Sequence, residues 1–282
     1  MTVALDPSLA AARARLEGVL ERHERLLVAF SGGADSALLA QVATSHLGAS
    51  RVLCATAVSP SLAVEDEHEC ARLARAWGLR HLALRTHEVE NPAYRENTLD
   101  RCYFCKAELM DVLGAAAERE GAAVALGVNL DDLGEHRPGQ AAARERGAVF
   151  PLVEASLDKA TVRALSRAIG LETWDKPANA CLSSRVPHGT PVTVGVLSQV
   201  ARAESALRAL GFRGLRVRHY GDAARLELPS ADLPRAIELR EEIVDALHAV
   251  GYRYVTLDLE GFRSGNLAMT ALAEESETKE RP

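Results

Sequence analysis

The chain has 282 residues, 48% hydrophobic and 4% aromatic, with a net charge of −6. This length can bury one large or two modest cores. The negative charge argues against a general nucleic-acid binder. With no apolar run of membrane-spanning length and no basic-then-apolar leader, the expectation is a cytoplasmic protein without membrane or nucleic-acid partners. In that compartment the five cysteines, Cys54, Cys70, Cys102, Cys105 and Cys181, are expected to be reduced, and an odd count fits no closed disulfide framework.

Ala, Leu and Arg recur at helical spacing from Pro7 to Glu24 and predict an amphipathic helix. The apolar run Leu26 to Phe30 reads as a buried strand, Ser31-Gly32-Gly33-Ala34-Asp35-Ser36 as a turn, and Ala37 to Ala43 as helix. Glycines let backbone approach a ligand closely, and free N–H groups at a helix start favour an anion. No Gly-Lys-Ser/Thr follows, so this is not a Walker loop. The string resembles the PP-loop of ATP pyrophosphatases, which cleave ATP to AMP and pyrophosphate. The resemblance implies that Ser31, Gly32, Gly33, Asp35 and Ser36 bind ATP, with Asp35 holding Mg2+. An ordinary glycine turn is the plain alternative.

Arg51 to Val58 reads as a second strand, Val64 to Trp77 as a helix closed by Gly78, and His81 to Thr86 as a third strand. This alternation predicts βαβ units and a parallel sheet, with ligands beyond the carboxyl ends of the strands. Cys54 and Cys70 read as small buried hydrophobes. Cys102-Tyr103-Phe104-Cys105 precedes a helix through Arg119. Its spacing suits zinc, an iron–sulfur cluster, redox work or a packed loop-to-helix junction. A further strand, Ala122 to Val128, empties into Asn129-Leu130-Asp131-Asp132, where Asp131 serves either nucleotide and metal or merely the turn. Val149 to Val153 is strand-like, and a helix spans Ala160 to Ile169.

The loop Trp174 to Gly189 sets Cys181 among Lys176, Arg185 and His188. Nearby cations lower a thiol's pKa; an inert buried thiol is the alternative. Beyond it, Gly195 to Leu210 reads as a helix. Leu215 to Tyr220 and Ala224 to Leu228 form a hairpin across Gly221-Asp222, followed by a helix Leu233 to Val250 and a strand Tyr252 to Leu257. Arg216 and Arg218, two apart on a strand, share one face, suited to phosphate or simply to solvent.

Arg-Cys-Tyr-Phe-Cys-Lys, Asn-x-Asp-Asp, Pro-Leu ahead of a Lys-bearing helix, Lys-Pro-Ala-x-Ala-Cys-Leu-Ser-Ser-Arg, Arg216-Val217-Arg218-His219 and Leu257-Asp258-Leu259-Glu260-Gly261-Phe262-Arg263-Ser264-Gly265 occur in this order. Together they resemble the LarE family, ATP-dependent sacrificial sulfur insertases of nickel-pincer nucleotide biosynthesis. The match runs over residues 10–267. The expectation is an α/β fold with a parallel-sheet PP-loop domain over 1–190 and a small α+β domain over 191–267 for substrate phosphate or oligomerisation; the polar, aperiodic end, 268–282, reads as a disordered tail.

The resemblance implies adenylation of a pyridinium-3,5-dicarboxylate mononucleotide, with Cys181 as sulfur donor left as dehydroalanine. Asp131 joins the ATP site. Arg185, Arg216, Arg218 and Arg263 take substrate phosphate, and Glu204 and Glu227 are metal candidates. ATP and Mg2+ are the expected cofactors; a homo-oligomer and nickel-pincer pathway proteins are the expected partners. Alternatives are an insertase using an iron–sulfur cluster on Cys102, Cys105 and Cys181, a tRNA thiolase, an amide-forming synthetase, or a nucleotide sensor without chemistry.

Overall fold

The computed structural model describes residues 5–134, 138–177 and 180–262; Arg263 and the expected tail lie outside them. The chain divides into two compact units, residues 1–88 with 102–179, and residues 89–101 with 180–282. The sequence reading placed the boundary at 190, whereas the segment carrying Cys181 and the short stretch 89–101 group with the second unit.

In the first unit β1 (Leu26–Ala29), β2 (Val52–Val58), β3 (His81–Arg85) and β4 (Ala123–Ala125) form a four-stranded sheet in the order β3-β2-β1-β4. Every pairing is parallel. Side chains of β1 alternate between two cores. Leu26, Val28 and Phe30 pack with Leu38, Leu39 and Leu73 of the crossover helices Ala34–Leu47 and Val64–Ala76. Leu27 packs with Leu53, Met110 and Leu113, the last two on the helix Arg101–Glu120. A strand covered on both faces has no polar side to show, which is why β1 is a continuous apolar run.

Two elements differ from expectation. The run Val149 to Val153 gives only a single bridge, Ala125 to Val149, before the short helix Pro151–Glu154. Pro151 stands at the first helical position, where its fixed φ and missing N–H suit a helix start. The ladder of β4 stops at Ala125, and the chain then runs to Gly127, packed against the backbone of Ser36.

In the second unit β5 (Arg216–Tyr220) pairs antiparallel with β6 (Ala223–Glu227), and β6 pairs parallel with β7 (Tyr254–Leu257). Gly221, at φ 62°, supplies the left-handed turn of the expected hairpin. One sheet face, with Val217, Ala224 and Leu226, packs on Leu207, Phe212 and Leu247. The helix expected over Leu233 to Val250 is two helices, Leu233–Glu238 and Arg240–Ala249. Leu239 leaves helical geometry at φ −94° and ψ 23° while still packing on the same core. Among the described residues, no helix is long and apolar enough to cross a membrane.

Candidate active site

The PP-loop joins β1 to the helix Ala34–Leu47. Gly32 takes φ 65°, a conformation that β-carbons disfavour, and a Cβ there would lie 3.0 Å from Cys70 Sγ. Ser36 Oγ accepts from the Ser31 N–H at 3.2 Å and lies 3.0 Å from Ser31 Oγ, cross-bracing the turn. A cavity of about 240 Å³ opens beside it, lined by Ser31, Gly33, Asp35, Ser36, Thr56 and Lys106 among others. Free N–H groups at a helix start favour an anion.

The Asp35 carboxylate is held at both oxygens. Lys159 Nζ donates to Oδ2 at 2.5 Å, and Asn129 Nδ2 donates to Oδ1 at 3.0 Å. Asp131 accepts from the backbone N–H of Lys159 at 2.8 Å, and Asp158 caps the same helix through Thr161. The acidic run therefore builds the turn and the helix start, and thereby aims Lys159 at Asp35. Among the described residues no group of three or more His, Cys, Asp or Glu is arranged to hold a metal. A lone carboxylate beside a phosphate site still fits Mg2+, which binds through one or two carboxylates plus substrate phosphates and water.

Lys176 donates to the Gly32 carbonyl at 3.1 Å, a contact within the first unit. Cys102 and Cys105 fall in the first turn of the helix Arg101–Glu120, three apart and so on one face. Cys102 is exposed and Cys105 half-buried, and Lys106 reaches the cavity wall. By contrast Cys54 and Cys70 are sealed; burial pushes the Cys54 thiol up to about 12 and raises that of Cys70.

In the second unit Cys181 is exposed at the start of the 3-10 turn Leu182–Arg185. Its backbone is pinned. The Cys181 carbonyl accepts from the Ser184 N–H at 2.9 Å and from Arg185 Nη1 at 3.1 Å, and Arg185 Nη1 also reaches the Ala180 carbonyl at 2.5 Å. From the stretch 89–101, Arg101 donates to the Ser183 carbonyl at 2.8 Å and Tyr94 Oη lies 2.5 Å from Ser183 Oγ. Asn97, fully buried at φ 59°, donates its amide to the carbonyls of Pro187 and Thr190. The His188 ring meets the Asn97 carbonyl at 3.2 Å.

Arg216 and Arg218 do share a sheet face, and around them lies a buried arginine cluster. Arg185 and Arg208 close on Glu204, and Arg218 and Arg225 on Glu227. The four contacts on Glu204, two from Arg185 and one each from Arg208 and the Val217 N–H, use its lone-pair directions. Glu204 and Glu227, read from sequence as metal candidates, are ion-pair partners in this structure. Arg185 and Arg218 are likewise committed, Arg218 bidentate on Glu227 with its Nη1 on the Ser184 carbonyl at 2.6 Å.

Arg216 differs. It is 6% exposed, stacks on the Phe262 ring at 4.5 Å, and makes no hydrogen bond or ion pair among the described residues. Burial first, then the neighbouring Arg185 and Arg218 charges, pull its pKa down to about 10. A buried cation without a carboxylate is costly unless an anion arrives. Arg263 lies outside the described residues.

Sequence reasoning missed Lys159, Asn129, Asn97 and Arg101. Lys159 carried a signal, since it opens a helix directly after an N-capping Asp158. Asn97 carried none, because nothing in its neighbours announces a buried left-handed residue.

A parallel sheet whose central strand ends in Ser-Gly-Gly-Ala-Asp-Ser at a helix start, beside an open cavity, defines a PP-loop protein with a smaller second unit. No protein-family model matches the chain. It is 37% identical over 261 residues to the pyridinium-3,5-bisthiocarboxylic acid mononucleotide synthase of Lactiplantibacillus plantarum, covering 92% of this chain and 95% of the relative. An uncharacterized protein of Synechocystis sp. is 45% identical over 86% of this chain and 92% of its own length. One of Methanocaldococcus jannaschii is 25% identical over the same shares. The chain belongs to the LarE family, that of the Lactiplantibacillus synthase.

Proposed function

We propose that this protein is an ATP-dependent sulfur transferase that converts the carboxylates of pyridinium-3,5-dicarboxylate mononucleotide to thiocarboxylates. The observation that carries the reading is Cys181, a thiol open to solvent on a loop whose carbonyls are held by the buried Arg185, Arg101 and Asn97 and whose Ser183 hydroxyl meets the buried Tyr94, in a chain that also bears a PP-loop. The substrate carboxylate attacks the α-phosphate of ATP, giving an acyl-adenylate and pyrophosphate. Ser31, Gly32, Gly33 and Ser36 cradle the phosphates, and Asp131 sets the turn beside them. Asp35 would hold Mg2+, which neutralises charge on the departing pyrophosphate.

The Cys181 thiolate then displaces AMP to form a thioester. Loss of the Cys181 α-proton breaks the Cβ–Sγ bond, leaving a thiocarboxylate product and dehydroalanine. His188, Asp175 and Lys176 are candidates for the base. Arg216 takes the nucleotide phosphate, Arg185 and Arg218 add positive charge around it, and Arg263 is a further donor. The proposal extends to a cytoplasmic homo-oligomer acting with nickel-pincer pathway proteins. Intact-protein mass spectrometry after incubation with ATP, Mg2+ and the pyridinium nucleotide tests it. Loss of one hydrogen sulfide at Cys181 is expected; no thiolated product and no AMP from folded protein overturns it.

The exposed Cys102 and half-buried Cys105 on one helix face support a second reading, in which an iron–sulfur cluster delivers the sulfur. Thiolated product alongside an intact Cys181, with iron and sulfide bound after anaerobic reconstitution, would favour it.

A further inference from the structure

Breaking a Cβ–S bond by elimination requires removal of the Cα proton, and the negative charge that develops does not stay on carbon. It moves onto the oxygen of that residue's own carbonyl, as an enolate. An enzyme that eliminates sulfur from its own cysteine therefore needs donors at the cysteine carbonyl, as an acyl-transfer enzyme needs them at the substrate carbonyl.

The Cys181 carbonyl has them. The Ser184 N–H lies at 2.9 Å and Arg185 Nη1 at 3.1 Å. Arg185 is only 3% exposed, so its charge acts through a poorly screened medium, and a guanidinium does not lose its proton. Its orientation is fixed from behind by Glu204, which accepts from Nε at 2.8 Å and from Nη2 at 3.3 Å. On the other side Nη1 also donates to the Ala180 carbonyl and to Ser184 Oγ. None of this geometry is needed to bind a phosphate.

We propose that Arg185 is a catalytic residue of the elimination: together with the Ser184 N–H it stabilises the enolate oxygen of Cys181 while sulfur leaves. This rests on the sulfur-donor reading of Cys181. The Cα–H bond breaks and its proton passes to a basic side chain, an imidazole or carboxylate. Its electron pair forms the Cα=Cβ bond, the Cβ–Sγ bond breaks, and that pair departs on the thiocarboxylate. Nothing is oxidised or reduced.

A chemical probe tests the step without ATP or the pyridinium nucleotide. A bis-alkylating α,α′-dibromodiamide turns an accessible thiol into a cyclic sulfonium, which leaves by the same α-proton abstraction and yields dehydroalanine. Cys102, also exposed, is the internal reference. In the folded protein, dehydroalanine should form at Cys181 about 100-fold faster than at Cys102, the range associated with one oxyanion donor. Arg185→Lys should bring the two rates within a few-fold while circular dichroism stays unchanged.

Equal rates at the two cysteines in the folded wild type, or an undiminished advantage in Arg185→Lys, overturns the proposal. Should that variant not fold, wild type in urea decides: the advantage must vanish, and its persistence is refutation. Because the probe bypasses adenylation, a Cys181 advantage without ATP-dependent sulfur transfer sinks the proposed function and leaves this step standing. ATP-driven sulfur loss that is indifferent to Arg185 does the reverse.

Discussion

Adding one methyl group at Gly127 should damage the nucleotide site from below. A Cβ there would lie 2.8 Å from the Ser36 nitrogen and 3.0 Å from Asp35 C and Ser36 Cα, all backbone atoms of the PP-loop helix start. Ordinary contact begins near 3.4 Å, so the loop or β4 must move by about 0.6 Å. No side chain can rotate away to absorb it. Overpacking of this kind costs about 1–3 kcal/mol, or roughly 2–4 °C of Tm per kcal/mol in a unit of this size. The functional cost is larger under the proposed function, in which the displaced N–H groups would face the phosphates, because a misplacement near 1 Å costs on the order of 100-fold. Gly127→Ala should lower ATP affinity at least about tenfold by titration calorimetry, in proportion to that geometric penalty. Gly114→Ala is the matched control, in the interior of the helix Arg101–Glu120 with nothing within 4 Å of the new Cβ. It should gain about 1 kcal/mol and leave ATP binding alone. Wild-type Tm and ATP affinity in Gly127→Ala would refute the reasoning.

Three further perturbations follow from the two units. Arg216→Gln strands no carboxylate among the described residues, so Tm should hold or rise while affinity for a nucleoside monophosphate falls about 10- to 100-fold, the worth of a charged hydrogen bond; an unchanged affinity by calorimetry moves the phosphate site elsewhere. Lys159→Met removes the ammonium paired with Asp35, and half-saturating Mg2+ for ATP binding should fall about fivefold, equivalent to ~1 kcal/mol of partly exposed ion pair. No change in the Mg2+ titration would separate Asp35 from the metal. Burial lowers the His219 pKa, so the unfolded state binds more protons below about 6.5. The stabilisation from keeping His219 neutral is complete above that value and is lost as pH falls below it. Thermal unfolding should show a smaller Tm loss between pH 7 and pH 5 in His219→Phe than in wild type, and equal losses would rule the histidine out.

The parallel sheet was legible because its strands are buried on both faces, and a continuous apolar run ended by Gly-Gly leaves few other readings. Pro151 misled in the opposite direction: an apolar run beginning on a valine looked like a strand, and the proline's preference for a first helical position won. The second unit was read in its hairpin but not in its extent. Residues 89–101 join it through hydrogen bonds from Asn97 and Arg101 to carbonyls over 80 residues further along the chain, and no local pattern encodes a side chain that seeks a distant carbonyl. The site divides in the same way. Ser31, Gly32, Gly33, Asp35 and Ser36 announce themselves because they are contiguous. The arginines announced their type and their shared face, but not which of them would be spent on Glu204 and Glu227 and which left open.

That partition raises the question of why a small unit buries so much charge, since replacing a buried ion pair with apolar side chains is often neutral or stabilising. The contacts of Arg218 give the answer. Glu227 grips its guanidinium at 2.9 and 2.8 Å, leaving Nη1 aimed at the Ser184 carbonyl, inside the turn that presents Cys181. The pair is a bracket for the cysteine turn, and its value lies in orientation. Arg218→Met alone should cost about 3–5 kcal/mol, because Glu227 is left buried with only Arg225. Arg218→Met with Glu227→Met should recover most of that loss in urea unfolding. Recovery of stability should not bring recovery of the bracket: hydrogen exchange across residues 182–186 should remain faster than in wild type, and alkylated Cys181 should eliminate more slowly. A double variant that regains both stability and turn protection would show that the buried charges serve packing, and that the Cys181 turn holds its shape without them.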